Sequence, residues 1–289
     1  MKPDRRFTGL DKAFWAHVRS LSEELGYTEG KTKEIKVPTL HELSDALASL
    51  TLSTEHMANK DGTPSNFANK LHSYFAYRAE LLNKQVRPLL MNAEQAEAIF
   101  KSLRKELRPK IYIPMNKQKG KKKKPAFLTA IVNMLVDAHR AEFPCNLDPR
   151  QLTSVTRDGL PVRTLARRVD GAFPAVINPI ALWEVKEYYH TTTFGSRVAD
   201  GVYETLLDGM ELEELNASEK IHVRHYLILD DEFTWWQCGR SYLCRVIDMM
   251  HMGYVDEVLF GRETVERIPL LVGEWVDAAR LRAAANQSQ

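Results

Sequence analysis

The sequence predicts an α/β protein: a mixed central sheet flanked by helices, preceded by a helical domain. Three observations lead there. Residues 1–115 carry their apolar side chains at helical spacing. A lysine-rich stretch with no acidic residue then interrupts the pattern. Beyond it, short apolar runs rich in branched and aromatic residues alternate with amphipathic segments, which is the order of a sheet covered by helices.

In the N-terminal part, Phe14, Val18, Leu21 and Leu25 lie on one helix face, and Gly26 is a natural stop. Thr39 with Glu42 forms a capping-box signature ahead of Leu40, Leu43, Leu47 and Leu50. Residues 51–66 are rich in Ser, Thr, Asn, Asp and Gly and read as a loop. Phe67, Leu71, Tyr74, Phe75 and Leu82 mark the next helix, and Asn92 opens another that Pro109 closes after Leu107.

Residues 115–125 hold six lysines and no acid. Charged side chains lose hydration in a core, so this is a linker, and the domain boundary is expected at 115/116. The C-terminal part, 116–289, then reads as follows. Residues 126–142 form a helix with Phe127, Ile131, Leu135 and Ala138 on its apolar face and Asn133, Asp137 and Arg140 on its polar face. Strands are expected at 166–173 and 180–189, joined through the turn Ile177-Asn178-Pro179. A helix opens at Gly195-Ser196 and ends at Gly209. A strand follows over 222–229, a helix over 236–252 with Gly253 after it, a short strand over 255–260, and a last helix from about Glu274.

Composition sets outer limits. The 289 residues have 44% hydrophobic content and a net charge of +2. That suits a globular protein and neither requires nor excludes a nucleic-acid partner. No apolar run approaches the ~20 residues of a membrane span, and the N-terminus lacks the apolar stretch of a secretory signal. Cys145, Cys238 and Cys244 are an odd set without metal-ligand spacing, so a reducing, cytoplasmic setting is expected.

Glu184-Val185-Lys186 is the segment that suggests chemistry. Hydrolysis of a phosphodiester needs an activated water and stabilisation of charge on the phosphoryl and leaving oxygens. Clustered carboxylates holding Mg²⁺ supply both, and a lysine helps to place the water. In a strand, residues two apart share a face, so Glu184 and Lys186 stand together while Val185 faces a core. Asp170 lies on the preceding strand and can approach Glu184 if the two pair. Acid-x-lysine also occurs at Glu29-Gly30-Lys31 and Glu34-Ile35-Lys36, but both lie in polar sequence. Only the third sits in an apolar strand, where two charges are costly unless they pair or bind a metal. The plain alternative is a same-face ion pair on an exposed edge strand.

With Val169-Asp170-Gly171, a short connection, Leu182-Trp183-Glu184-Val185-Lys186 and then helix, strand, helix and strand, residues 126–262 resemble the PD-(D/E)XK nuclease superfamily, which includes many restriction endonucleases. The resemblance implies a restriction-endonuclease-like fold in which Asp170 and Glu184 ligate Mg²⁺ (or Mn²⁺ in its place), the carbonyl of Val185 adds a ligand, and Lys186 positions or activates the water. Glu187 points to the other face and is left out of the set. The family's proline before the aspartate is replaced by Val169. No glutamate precedes Glu142 on the helix before the first strand, where Asp137 is the substitute and a solvated helix face the plainer reading. Tyr203 matches one half of a Gln-xxx-Tyr pair found in some members, but Ala199 stands at the glutamine position.

Lys121, Lys122, Lys123 and Lys124 and Arg197 are candidate phosphate contacts, against the alternative of a solvated linker and a plain surface arginine. His190 and Thr191-Thr192-Thr193 are candidate substrate neighbours or an ordinary polar loop. Trp235-Trp236 offers stacking surface but reads better as core. The implied activity is an endonuclease acting on double-stranded DNA in restriction or antiviral defence. Residues 1–115 would supply recognition, dimerisation or partner contacts, in a homodimer or partner-protein assembly without a membrane. The alternatives are a non-catalytic nucleic-acid-binding or assembly module of the same fold, and a nuclease acting on structured RNA.

Overall fold

The computed structural model describes residues 1–116, 124–189 and 195–287. The protein is mixed α/β. Its N-terminal part is helical: α1 (Lys12–Leu25), α2 (Leu40–Ser49), α3 (Asn66–Glu80) and α4 (Ala93–Leu107). Gly26 ends α1 with φ 75°, and the Thr39–Glu42 capping box opens α2. Asn92 caps α4 through a second such box with Gln95. Phe14, Val18, Leu21, Leu43, Leu47, Leu71 and Phe75 form a core of their own.

The C-terminal part runs α5 (Phe127–His139), β1 (Ser154–Arg157), β2 (Leu160–Thr164), β3 (Gly171–Phe173), β4 (Ala181–Lys186), α6 (Ser196–Glu219), β5 (Arg224–Leu229), α7 (Arg240–His251), β6 (Glu257–Phe260) and α8 (Glu263–Gln287). The main sheet has the order β3-β4-β5-β6, antiparallel between β3 and β4 and parallel across the rest. Side-chain alternation divides it. Ala181, Trp183, Val185, Tyr226, Ile228 and Leu259 pack with α5 and α8, and the Trp183 and Trp275 rings stack 5.5 Å apart. Leu227, Leu229, Val258 and Phe260 pack with α7 on the other face, and Val198 and Val202 bring α6 to that side.

Several elements depart from expectation. The first expected strand shrinks to Gly171–Phe173, leaving Asp170 just before it. Gly171 is required there, because a Cβ would stand 1.9 Å from the Trp183 indole. The β1–β2 hairpin, turning at Asp158-Gly159 with φ 51° and 80°, was not anticipated. Gly209 does not end α6. It lets the helix pass Tyr254, whose carbonyl would lie 2.4 Å from a Cβ, and the helix continues to Glu219. α8 begins at Glu263 despite Pro269. Ile268, Leu271, Val272, Trp275 and Val276 are all buried on one stripe. At about 1.5–3 kcal/mol each, they outweigh the ~3 kcal/mol of an interior proline. α5 is buried almost all round, so Asn133, expected on a polar face, lies inside and donates to the Leu147 carbonyl at 3.2 Å, while Ala138 is exposed.

α4 lies before the expected 115/116 boundary, yet its Ala96, Phe100 and Leu103 share the core of α5, α8 and the sheet. The N-terminal helices are tied to α7 by a buried network. Arg78 on α3 donates to both oxygens of Asp248 at 3.0 Å and to Ser22 Oγ at 3.1 Å, and Tyr74 donates to Asp248 at 2.5 Å. Trp235 and Trp236 are core residues. Cys145, Cys238 and Cys244 are all free thiols. Among the described residues no helix is long and apolar enough to cross a membrane.

Arg78→Met strands the Asp248 charge inside, and a loss of about 3–5 kcal/mol is expected by chemical denaturation. Arg78→Met with Asp248→Leu should recover most of that loss, because no unpaired charge remains.

Candidate active site

Every residue of β4 is buried, and its alternation sends Trp183 and Val185 toward α5 while Glu184 and Lys186 face α6. Asp170 is fastened to this strand by a reciprocal pair of bonds. Its N–H donates to Glu184 Oε1 at 3.2 Å, and its Oδ2 accepts the Val185 N–H at 2.8 Å. Asp170, Glu184, Val185 and Lys186 are therefore neighbours. Lys186 donates to Glu184 Oε2 at 2.8 Å and to Glu204 Oε2 at 3.1 Å. Gly201 on α6 leaves room for the lysine, since a Cβ there would lie 3.2 Å from Lys186 Cδ.

Three further residues complete the cluster. Arg167 reaches Glu184 Oε1 at 3.0 Å and Oε2 at 3.1 Å, Asp208 Oδ2 at 2.6 Å, and Glu204 Oε2 at 3.3 Å. Glu204 and Asp208 are one turn apart on α6. Their signal in the sequence is faint: acids four apart, between Gly201 and Gly209, on a helix that those glycines bring close to its neighbours. Arg167 gives no signal, because nothing local separates it from the adjacent Arg168.

Four carboxylates (Asp170, Glu184, Glu204 and Asp208) thus meet two cations, and the protonation energies register the excess. Burial pushes the Glu184 carboxyl up, but Lys186 and Arg167 outweigh it and hold it below its ordinary value. Burial and the Glu184 charge raise Asp170 to about 6. Burial first, then the Glu184 charge against the Arg167 pairing, leaves Asp208 raised to about 7. Burial disfavours the Lys186 ammonium, but Glu184 and Asp170 more than offset that and raise its pKa. In this arrangement the neighbouring carboxylates favour the charged form of Lys186.

A cavity of about 360 Å³ opens on the α5 side of the β4 end, bordered by Asp170, Val185, Glu187, Tyr188, Asn133 and Arg197, among others. Glu184 and Lys186 stand on the other face and do not border it, so Asp170 links the cavity to the ion cluster. Glu187, left out of the sequence-level set, has a defined place. Ala126 gives α5 no side-chain cap, and Glu187 Oε2 supplies one by accepting from Thr129 N at 3.0 Å and Thr129 Oγ1 at 2.9 Å. Burial raises its carboxyl to about 7 despite those bonds.

The other candidates are scattered. Arg197 is exposed in the first turn of α6. Lys124 is exposed and 3.7 Å from Glu97. Lys121, Lys122 and Lys123, with His190 and Thr191-Thr192-Thr193, lie outside the described residues. Asp137 pairs with Arg140 at 2.9 Å, and the Tyr203 hydroxyl takes Arg245 at 3.1 Å.

The residues present fit a hard divalent cation in the chemistry of their donors. All are oxygen donors, they exceed the available cations, and Asp208 Oδ1 is buried without a partner. Among the described residues, no group of three or more His, Cys, Asp or Glu stands ready around one point. The four carboxylates are instead arranged around the Arg167 and Lys186 heads.

Fold and site together define a mixed α/β protein with an acid-rich ion cluster at the end of a central strand. The chain belongs to the family described as Domain of unknown function (DUF7687), whose model matches residues 91–275. A second family model, Domain of unknown function (DUF7690), matches residues 1–85. No curated protein and no solved structure matches the chain.

Glu187 binds its proton more tightly in the folded chain, from 4.5 up to about 7. Its stabilising contribution is therefore complete below the lower value and lost as pH rises through the upper one. Glu187→Gln keeps an acceptor for Thr129 and cannot ionise. Its stability relative to the parent should rise across that window, as read from paired denaturation curves. Parallel curves would refute the assignment.

Proposed function

We propose that this chain is a Mg²⁺-dependent endonuclease that hydrolyses phosphodiester bonds in DNA, in restriction or antiviral defence, on a restriction-endonuclease-like core. The observation that carries the reading is the fastening of Asp170 beside Glu184 on β4, with the Lys186 ammonium against Glu184. It is supported by an excess of carboxylate that a divalent cation would balance.

Asp170, Glu184 and the Val185 carbonyl would hold Mg²⁺, with Mn²⁺ able to replace it. The bound ion supplies Lewis-acid polarisation of the phosphoryl group and a more acidic water. Lys186 would position or activate the attacking water once the ion cluster that now holds it opens to the cavity. Arg197 at the cavity edge, with Lys121, Lys122, Lys123 and Lys124, would contact phosphates independently of sequence. Cutting both strands with one site per chain calls for a homodimer or an assembly with a partner protein. The cytoplasm is the proposed setting.

One observation favours a second reading. Glu184 has 0% exposure and both its oxygens are paired, as in a purely structural ion cluster. The chain would then be a non-catalytic nucleic-acid-binding or assembly module.

Plasmid DNA and a structured RNA, incubated separately with Mg²⁺, distinguish these readings. The parent should nick the DNA, and Asp170→Ala and Lys186→Ala should each lower the rate about 10²-fold or more. Equal cutting by all three rejects the site. Binding without cutting favours the module, and cutting of RNA alone reassigns the substrate.

A further inference from the structure

Arg167 stands where a metal centre built on Glu184 would need room. Its two terminal nitrogens straddle the carboxylate at 3.0 and 3.1 Å, so each Glu184 oxygen already has an arginine partner, and Oε2 takes Lys186 as well. The same head is anchored to Asp208 at 2.6 Å and Glu204 at 3.3 Å. A guanidinium is a permanent cation with a fork that matches a carboxylate edge. A divalent ion on the same carboxylate would be repelled by it and would compete for the same lone pairs. Arg167 is the more accessible of the two cations in the cluster. Its side chain is 23% exposed, whereas Glu184 has no exposure, and it sits in an irregular segment between β2 and β3. Lys186, packed under Gly201, is 9% exposed.

We propose that Arg167 is an autoinhibitory latch: it holds Glu184 in the resting chain, and a divalent cation binds only when the guanidinium withdraws. The inference rests on the metal-dependent reading above and adds to it a reason for weak metal affinity at rest. Binding that requires a minor open state is weakened by the fraction of chains in that state. With roughly 1–10% open, the affinity falls about 10–100-fold.

The test is a calorimetric titration with Mn²⁺, without nucleic acid, on the parent, Arg167→Gln, Arg167→Lys and Asp170→Asn. Arg167→Gln should bind Mn²⁺ about tenfold or more tightly than the parent. Arg167→Lys, charged but unforked, should fall between them, and Asp170→Asn should lose the binding. Equal or weaker binding by a folded Arg167→Gln overturns the latch. If Asp170→Asn still loses the ion in that case, the metal reading stands alone. Tighter binding by Arg167→Gln in a chain that cuts neither DNA nor RNA leaves the latch and removes the nuclease. No Mn²⁺ uptake by any variant overturns both the latch and the metal centre. Should Arg167→Gln fail to fold, the Arg167 guanidinium N–H resonance of the parent takes its place. It should shift or exchange faster at saturating Mg²⁺, and an unchanged resonance at saturation overturns the proposal.

Discussion

The C-terminal half is organised around a charge placed where a charge is expensive. Glu184 lies on β4, one of the two inner strands of the sheet, with no solvent exposure. Burying an ionised carboxylate costs several kcal/mol unless partners replace its hydration. Much nearby structure supplies those partners. Lys186 shares the strand face, Arg167 reaches in from the segment before β3, and the Asp170 N–H closes the near edge. The two cations import a further requirement, because each needs acceptors of its own. Glu204 and Asp208 on α6 meet it, and Gly201 lets that helix come close enough.

The other face of β4 follows a different rule. Trp183 and Val185 turn into an apolar core with α5 and α8, where Trp183 stacks on Trp275. The strand end then carries Glu187 to the N-terminus of α5, where a carboxylate meets unpaired helix N–H groups. One short strand therefore serves two chemistries, an ion cluster on the α6 side and a capped helix beside a cavity on the α5 side. Asp170 joins them, bordering the cavity while its oxygen is bound to the strand backbone.

Much of the fold was legible because its signals are local. The capping box at Thr39, the helix start at Asn92, the stop at Gly26 and, the β1–β2 hairpin apart, the order of elements from α5 to β6 follow from residue spacing alone. Two of the misread elements share one cause. Gly209 and Pro269 look like terminators in isolation, but the first is a contact point with Tyr254 and the second sits in a stripe whose burial outweighs it. The first expected strand ran too long: the ladder with β4 covers only Gly171–Phe173, although the Asp170 N–H still donates to the Trp183 carbonyl. The Asp158-Gly159 hairpin was legible in principle, since aspartate-glycine favours a two-residue turn with positive φ.

The sequence by itself determined the α/β class and the pairing of Glu184 with Lys186 on one strand face, because the strand period is a property of the backbone. It also singled out Asp170 as the acid that strand pairing would bring to them. Only the tertiary structure decided what surrounds that set. Arg167, Glu204 and Asp208 come from separate segments, and their meeting depends on how closely α6 lies on the sheet. It likewise decided that Glu187 caps α5, since helix ends recruit whatever carboxylate the fold brings near. Charges in water are nearly indifferent to one another, and burial is what forces these into one cluster.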